Sequence, residues 1–590
     1  AMAVTKAEIR SGAYYDSVLL MQLQRSLAAL PGVLDAGVVM GTDANKDVLA
    51  QSDLLTPEAQ ATVADDLVIV VRAEDNAAAQ AALDQVDELL TRRRGGVVQE
   101  YRPKSLESAA EMMPDAQWVL VSVPGRYAAG VARQALRLGK NVFLYSDNVS
   151  LDDETALKQL AAEIGLLVMG PDCGTAIVNG VGLGFANRVR RGPIGLVAAS
   201  GTGLQQVTSR IHQLGSGITH ALGTGGRDLS QAVGAVTARQ GLDLLSRDPE
   251  TQVIVLISKP PSPQVADELL RAGRSAGKPL VVDFIGYSPP ARQVDNGCRL
   301  HFATSLDEAA HLAVKLATST PSMDFGEPFV PLRAGLSRAE PLADLDRFAP
   351  GQRYLRGLFS GGTLAYEALL ILQSYLPGVY SNTPLDKDYR LANSLVSQAH
   401  TIVDLGEDEF TVGRLHPMLD NDLRIRRLQQ ETDDPEVAVV LLDVVLGYGA
   451  HPDPASELAP AIATARARAA RAGRYLEVVA VVVGTDEDPQ NFDAQVQQLE
   501  AAGARVETSN EATVRYVGRL VRSLNPKPET RNLKPVALAV LHQPLAAINV
   551  GLESFTESLM AQSAPVIQVD WQPPAGGNEK LMAILERMRG

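Results

Sequence analysis

Cysteine is nearly missing from this 590-residue chain: Cys173 and Cys298 are the whole supply. Two residues build no disulfide framework and offer no zinc spacing, so no metal is expected and a reducing compartment fits. Aromatics make up 5% of the residues, too few for the stacking platforms that hold single-stranded nucleic acid. Clustered positive charge is missing as well. The net charge is −15 and no basic tract is longer than residues 92–94, whereas a nucleic-acid binder needs a concentrated positive field. Long apolar runs are absent: residues 437–442 form one of the longest, against about 20 needed to span a bilayer. No signal-peptide pattern opens the chain, and Ala1 before Met2 reads as an added residue. The expectation is a soluble cytoplasmic protein with neither nucleic acid nor membrane as partner.

What is present is ordinary for packed domains: 46% hydrophobic and 21% charged residues, with Ala and Val dominating the apolar set. At about 100–200 residues per domain the length implies several domains. The fold class read from periodicity is α/β. Several Rossmann-like or flavodoxin-like parallel-sheet domains follow a small N-terminal α+β domain. Residues 3–95 show a β-α-β-β-α order, which suggests a ferredoxin-like plait. Residues 92–111 read as a polar linker. Residues 114–190 alternate apolar strands and helices, which implies a parallel Rossmann-like sheet. Residues 193–318 form a second parallel unit, a proline-rich linker covers 319–352, and 353–526 form a third. Residues 533–590 add strands at 536–541, 546–550 and 566–569, then a terminal helix.

A repeat runs through the middle of the chain. Residues 195–207 read GLVAASGTGLQQV and residues 357–368 read GLFSGGTLAYEA. Asp248-Pro249-Glu250 precedes one apolar strand, and Asp434-Pro435-Glu436 precedes another. Each copy gives a strand, a Gly-rich loop, a helix, then a D-P-E turn into a buried strand, as a diverged duplication would.

The Gly-rich loops are the first candidates for chemistry. Ser200, Gly201, Thr202 and Gly203 lie between a buried strand and an amphipathic helix. Free N–H groups at a helix start favour an anion, and glycine lets the backbone approach it closely. Gly361, Gly362 and Thr363 form the second copy. Gly225, Gly226 and Arg227, in GTGGRD, suit a carboxylate or phosphate. Lys259 stands at the end of a core strand, the sheet edge where ligands bind in open α/β folds. His220 and His416 sit beside Gly-rich, charged loops and are candidates to polarise or protonate a substrate; His451 is a weaker third. Asp404 to Asp408 cluster carboxylates near Arg414. Asn578 ends a Gly-Gly-Asn loop suited to a helix-start anion or a cap. Cys173, with no histidine near it in sequence, reads as a buried structural thiol.

At these residues the chain resembles known families. Residues 114–318 resemble the α chain of succinyl-CoA synthetase and the wider NDP-forming acyl-CoA synthetases. That match rests on residues 121–124, on GPDCG at 170–174 and on GLVAASGTG at 195–203. It implies coenzyme A or a nucleotide at Ser122, Pro124, Gly170 and Pro171, and a phosphoryl group of a phosphohistidine at the Ser-Gly-Thr loop. The family's histidine motif is missing: residues 286–305 read GYSPPARQVDNGCRLHFATS, with His301 outside any such motif. No ATP-grasp pattern is found. Longer stretches are similar to the FdrA family, among them YSDNVSLDDE at 145–154, GITHALGTGGRDLS at 217–230, DLGEDEFTVGRLHPMLD at 404–420 and LLDVVLGYGAHPDP at 441–454. This resemblance implies an oligomeric subunit of oxamate carbamoyltransferase, working with partner subunits on carbamoyl phosphate and a small amide or carboxylate acceptor in allantoin and purine catabolism. Two anion cradles would then serve two anionic reactants. His416 or His220 would polarise the carbonyl, and Arg227 or Arg414 would clamp the carboxylate. The alternatives are an NDP-forming acyl-CoA ligase and a non-catalytic scaffold that binds an effector.

Overall fold

The computed structural model describes residues 3–12, 17–42, 45–46, 49–50, 52–92, 103–287, 300–318, 342–411, 415–525 and 539–571. Residues 1–525 and 526–590 are separate compact units.

The N-terminal region pairs β1 (Val4–Arg10), β2 (Val33–Met40) and β3 (Leu67–Ala73) antiparallel in the order β1-β3-β2. Helices Ser17–Ala28 and Asn76–Leu83 complete the first five elements of a ferredoxin-like plait. Strand β3 reads LVIVVRA without polar alternation because both its faces are covered. Ile69 and Val71 meet Leu27 and Ala79, while Val68 and Val70 meet Leu49 and Leu54.

Three short parallel strands follow: β4 (Trp118–Val121), β5 (Asn141–Leu144) and β6 (Val168–Met169). Helix Leu151–Glu163 starts at Ser150, whose hydroxyl accepts from the Asp153 N–H at 3.1 Å. The sheet stops there. The hairpin β7 (Thr175–Val178) and β8 (Val181–Gly184) leaves it for the next sheet.

That next sheet has seven strands. It adds β9 (Arg191–Ala199), β10 (Ile218–Gly223), β11 (Val253–Ser258), β12 (Leu280–Phe284) and β13 (Leu300–Phe302) in the order β13-β12-β11-β9-β10-β7-β8. The six-stranded sheet contains β14 (Tyr354–Phe359), β15 (Tyr380–Ser381), β16 (Thr401–Asp404), β17 (Val437–Val445), β18 (Glu477–Val483) and β19 (Arg505–Glu507), ordered β15-β16-β14-β17-β18-β19. With β9 and β14 each counted as the first strand, and the two-residue edge strand β15 and the hairpin β7–β8 set aside, both sheets have the order 2-1-3-4-5, so the sequence repeat is a repeat of topology. The D-P-E turns correspond too: Asp248 accepts from the Glu250 N–H at 3.2 Å, and Asp434 from the Glu436 N–H at 2.9 Å.

The two sheets share one core through a layer of helices that includes Gly201–Gln213, Leu306–Thr318, Gly362–Leu372 and Asn510–Leu524. Helix Gly201–Gln213 is buried on every side from Thr202 to Gln213. Its polar face bonds across the layer: Arg210 Nε to Asp307 at 2.6 Å, His212 Nε2 to Asp486 at 2.6 Å, and Gln213 Nε2 to the Gly484 carbonyl at 2.8 Å.

The separate C-terminal unit pairs β20 (Ala547–Val550) parallel to β21 (Val566–Val569), with helix Glu553–Ala561 between them. The strand expected at 536–541 is not seen: residues 536–538 lie outside the described residues, and Ala539–His542 is helical. No helix among the described residues is long and apolar enough to cross a membrane.

Candidate functional site

In a 2-1-3-4-5 sheet the chain reverses direction beside the first strand, so the loop after that strand opens into a crevice. Here two such loops face each other. Ser200, the N-cap of helix Gly201–Gln213, accepts from the Gly203 N–H at 2.9 Å, and its hydroxyl lies 2.6 Å from Thr363 Oγ1 of the second helix. The contact is reciprocal. A Cβ placed on Gly361, the N-cap of helix Gly362–Leu372, would meet Thr202 Cγ2 at 2.7 Å, and one on Gly203 would meet Thr363 Cγ2 at 3.2 Å. Glycine is needed here because two helix starts touch. Each N-cap touches the second helical residue of the other copy, a pseudo-two-fold arrangement.

The two halves differ chemically. In the first, no described residue accepts from the N–H groups of Gly201 and Thr202. Thr175 Oγ1, on a residue only 2% exposed, has no hydrogen-bond partner among the described residues and lies 3.5 Å from the Cβ position of Gly201. Lys259 leaves β11 beside them, half-buried, with its ammonium 5.7 Å from the Tyr366 ring centre. In the second half the chain supplies its own anions. Asp443 accepts from the Ser360 N–H at 2.7 Å, the Ser360 hydroxyl at 3.0 Å and the Gly361 N–H at 2.8 Å, and Arg424 pairs with it at 2.9 Å. A Cβ on Gly362 would overlap Asp404 Oδ2. The strands explain the difference. Ile257 pairs with Ala198, two residues before the first N-cap, and Asp443, one residue beyond the Leu358–Leu442 pair and so in register two residues before the second N-cap, holds the place of Ile257 in the second sheet.

Carboxyl groups ring the junction. Burial pushes Asp404 up to about 7, with Glu407 adding to the rise and Lys259 opposing it. Water reaches Asp172, yet protein crowds it on most sides; that desolvation, reinforced by Asp147, Asp408 and Glu407, lifts it to about 7. Burial, then the Arg424 charge, pushes His416 down to about 4, so its imidazole is neutral at pH 7. His416 Nδ1 accepts from the Met418 N–H at 3.2 Å, which leaves the ring proton on Nε2. Nε2 lies 3.0 Å from the Cβ position of Gly406, and Asp404 Oδ1 lies 3.2 Å from the same point. The ring also packs on Phe185, 5.3 Å between centres.

Of the residues singled out in the sequence, this junction gathers Ser200, Gly201, Thr202, Gly203, Gly361, Gly362, Thr363, Lys259 and His416. Others are committed elsewhere. His220 accepts from the Asn179 N–H at 2.9 Å and faces Asp248, just before β11, which is the opposite edge of the sheet. Arg227 is held by Glu154 at 2.9 Å and donates to the Val149 carbonyl at 2.8 Å. Gly225 and Gly226 sit against the Gly170-Pro171-Asp172 turn: a Cβ on Gly225 would overlap the Pro171 carbonyl, and one on Gly226 would lie 3.8 Å from Asp172 Oδ2. Asp228 of the same loop is buried on Lys158 at 2.8 Å and accepts from the Ala238 N–H at 2.8 Å. Gly170 and Pro171 are joined by a cis peptide bond, and the Gly170 N–H donates to the Thr224 carbonyl at 3.3 Å. Ser122 is exposed after β4, and Pro124 is the N-cap of helix Gly125–Arg137, whose first turn holds no acid. His301 lies on the edge strand β13. His451 is 3.3 Å from Glu457. Cys173 is buried and its thiol pushed up to about 12, chiefly by desolvation, as befits an inert structural residue. Arg414 and Asn578 lie outside the described residues. Among the described residues no group of His, Cys, Asp and Glu is arranged to hold a metal.

Sequence reasoning missed Thr175, Asp443 and Arg424. Asp443 did carry a signal, an acid inside the apolar strand VAVVLLDVV. Thr175 carried none.

Comparison with known proteins agrees with this architecture. The family described as "CoA-ligase" matches residues 358–520, and "CoA binding domain" matches 190–286. Residues 2–103 match "AllF, heavy metal-associated domain", although no cysteine occurs before Cys173. The α subunit of the ADP-forming succinate–CoA ligase of Aquifex aeolicus is 26% identical over 177 residues, 29% of this chain and 57% of that subunit. Among solved structures, the ATP citrate lyase of Methanothrix soehngenii aligns over 39% of this chain and 43% of its own, with a TM-score of 0.33 at 16% identity. The Escherichia coli protein YahF is 43% identical over 511 residues, 86% of this chain and 97% of that protein. The chain therefore belongs to the family that includes YahF, the FdrA-type proteins, whose two α/β repeats are built like acyl-CoA synthetases.

Proposed function

We propose that the chain is a carbamoyltransferase subunit that binds carbamoyl phosphate at the junction of the two helix starts and passes its carbamoyl group to a small amide such as oxamate. One observation carries this reading. The first helix start offers unclaimed N–H groups, an unpartnered buried hydroxyl and a nearby lysine, while the second is already filled by Asp443. The junction therefore suits one phosphoryl group, where the repeated glycine loops had suggested two anion cradles. The phosphoryl end would rest on Gly201, Thr202 and Thr175, with Lys259 offsetting its charge. The acceptor nitrogen attacks the carbamoyl carbon, and the bond to the phosphate oxygen breaks with its electron pair leaving on phosphate. The proton lost by the nitrogen passes to a carboxylate, for which water-accessible Asp172 is suited by its value near 7. No phosphohistidine is required. Arg227, expected to clamp the acceptor's carboxylate, is already engaged by Glu154. Relatives named as ligase subunits fit a chain that works with partner proteins.

The test is phosphate release from carbamoyl phosphate with a panel of amide acceptors, run with and without the neighbouring subunits. Thr175→Val and Lys259→Met should each weaken inorganic-phosphate binding about tenfold or more, the loss expected for a hydrogen bond to a charged group. Unchanged titrations would sink the cradle. The second reading, an acyl-CoA ligase subunit, is favoured by the family matches. It places coenzyme A phosphates at the helix start after Pro124, where no acid stands in the first turn and Arg126 is exposed. Coenzyme A binding together with labelling by the γ-phosphate of ATP would support it.

A further inference from the structure

Helix Gly362–Leu372 of the second repeat runs across the carboxyl edge of the seven-stranded sheet, one turn to a strand. Thr363 meets Ser200, the residue after β9. One turn on, the Tyr366 ring centre lies 5.7 Å from the ammonium of Lys259, the residue after β11. A turn further, Leu370 Cδ2 lies 3.3 Å from the Cβ position of Gly286, just past β12. Strands β9, β11 and β12 are neighbours in that order, and neighbouring strands stand about 4.8 Å apart. A helix rises about 5.4 Å per turn, so the two spacings match. The half-buried Tyr366 therefore stands on the helix face that carries Thr363 to the junction.

Lys259 is fixed at its backbone and free at its end. Before it, the Ser258 carbonyl accepts from the Ile285 N–H at 2.9 Å; after it, the Ser262 N–H donates to the Leu229 carbonyl at 3.3 Å. Pro260 and Pro261 stiffen the stretch between. The ammonium makes no hydrogen bond or ion pair with a described residue, and the Tyr366 ring is the group it faces. Two carboxyls compete for it, because its charge opposes the rise of Asp172 and of Asp404. An ion pair with either would occupy N–H donors and cancel the charge. An aromatic face attracts the ammonium and leaves its three N–H donors free for an anion.

Resting on the phosphate-cradle reading, we infer that Tyr366 is a positioning residue whose ring holds the Lys259 ammonium at the open helix start and keeps it from the two carboxyls. The second repeat, whose own helix start is filled by Asp443, thereby completes the anion site of the first.

The experiment titrates the full chain with inorganic phosphate at pH 7 and places each Tyr366 variant in the wild-type and the Lys259→Met backgrounds. Tyr366→Phe keeps the ring and should stay within about twofold of the wild type, whereas Tyr366→Leu and Tyr366→Met, two apolar fillers without a ring, should bind about fivefold more weakly, the scale of one such contact. In the Lys259→Met background the same two changes should have no further effect. A loss that persists in that background means that Tyr366 acts through packing, and overturns the inference. So does wild-type affinity in both ringless variants, or a loss in Tyr366→Phe as large as theirs. Unchanged phosphate affinity in Lys259→Met alone overturns the cradle reading itself.

Discussion

Single residues set the protonation state of the junction. Asp404 has an ordinary value of 3.8 and is raised to about 7 by burial. Between those values the folded chain keeps a proton that the unfolded chain releases, so folding stability falls as pH rises through this window, and the loss is complete above pH 7. Each pH unit is worth about 1.4 kcal/mol. Asp404→Asn removes the dependence because its amide has no proton to lose. Its melting temperature should exceed that of the wild type at pH 8, with the gap closing by pH 5; a gap independent of pH would show that Asp404 is already ionised in the folded chain. Asp172, raised to about 7 as well, works in the same direction on ligands. Both carboxyls gain charge on the alkaline side, so phosphate should bind more weakly at pH 8 than at pH 6.

At the scale of elements, what matters is how one loop is held to another. The GTGGRD loop was expected to present Arg227 and its glycines to a ligand. It is instead anchored from beneath, where Lys158 reaches Glu154 at 2.9 Å and Asp228 at 2.8 Å, all three fully buried. Asp228 in turn fills the N-terminus of helix Val236–Arg247, which leaves that helix start closed to an external anion. Lys158→Met would leave buried Asp228 without a cation and Glu154 with Arg227 alone, and breaking such a pair costs on the order of 3–5 kcal/mol. Urea unfolding should show that loss. A midpoint near that of the wild type would mean that the buried pairing contributes nothing to stability.

For residues 1–525 the governing fact is one core shared by two repeats. Ile194 and Val255 of the seven-stranded sheet, Leu355 and Val439 of the six-stranded sheet, and the helices between them belong to a single buried cluster. Helix Gly201–Gln213 has no solvent face, so neither repeat buries its own cradle helix. The repeats should therefore unfold together, as one calorimetric transition with equal van't Hoff and calorimetric enthalpies. Two resolved transitions for these sheets would contradict the shared core. The reciprocal contact of Ser200 with Thr363 and of Thr202 with Gly361 depends on the same packing, so loosening the helix layer should weaken phosphate binding along with stability.

The sequence by itself determined the α/β class, the small α+β domain, the repeat with its D-P-E turns and the place of the Gly-rich helix starts. These are local matters: apolar runs of strand length, helix periodicity and caps such as Ser150 act within a few residues. His416 was legible as a candidate because it stands in a loop beside glycine and charge, but His220 had the same setting and points to the other end of its sheet. Which way a residue faces depends on the strands beside it, and the hairpin β7–β8 that takes up His220 is placed by tertiary pairing. Only the tertiary structure decided that the two cradles touch and that one is filled by Asp443. It alone placed Thr175 and Asp404 on either side of the junction. Those facts join residues up to 268 positions apart in the chain, from Thr175 to Asp443, and no local pattern encodes a contact made only when two sheets close on a common layer of helices.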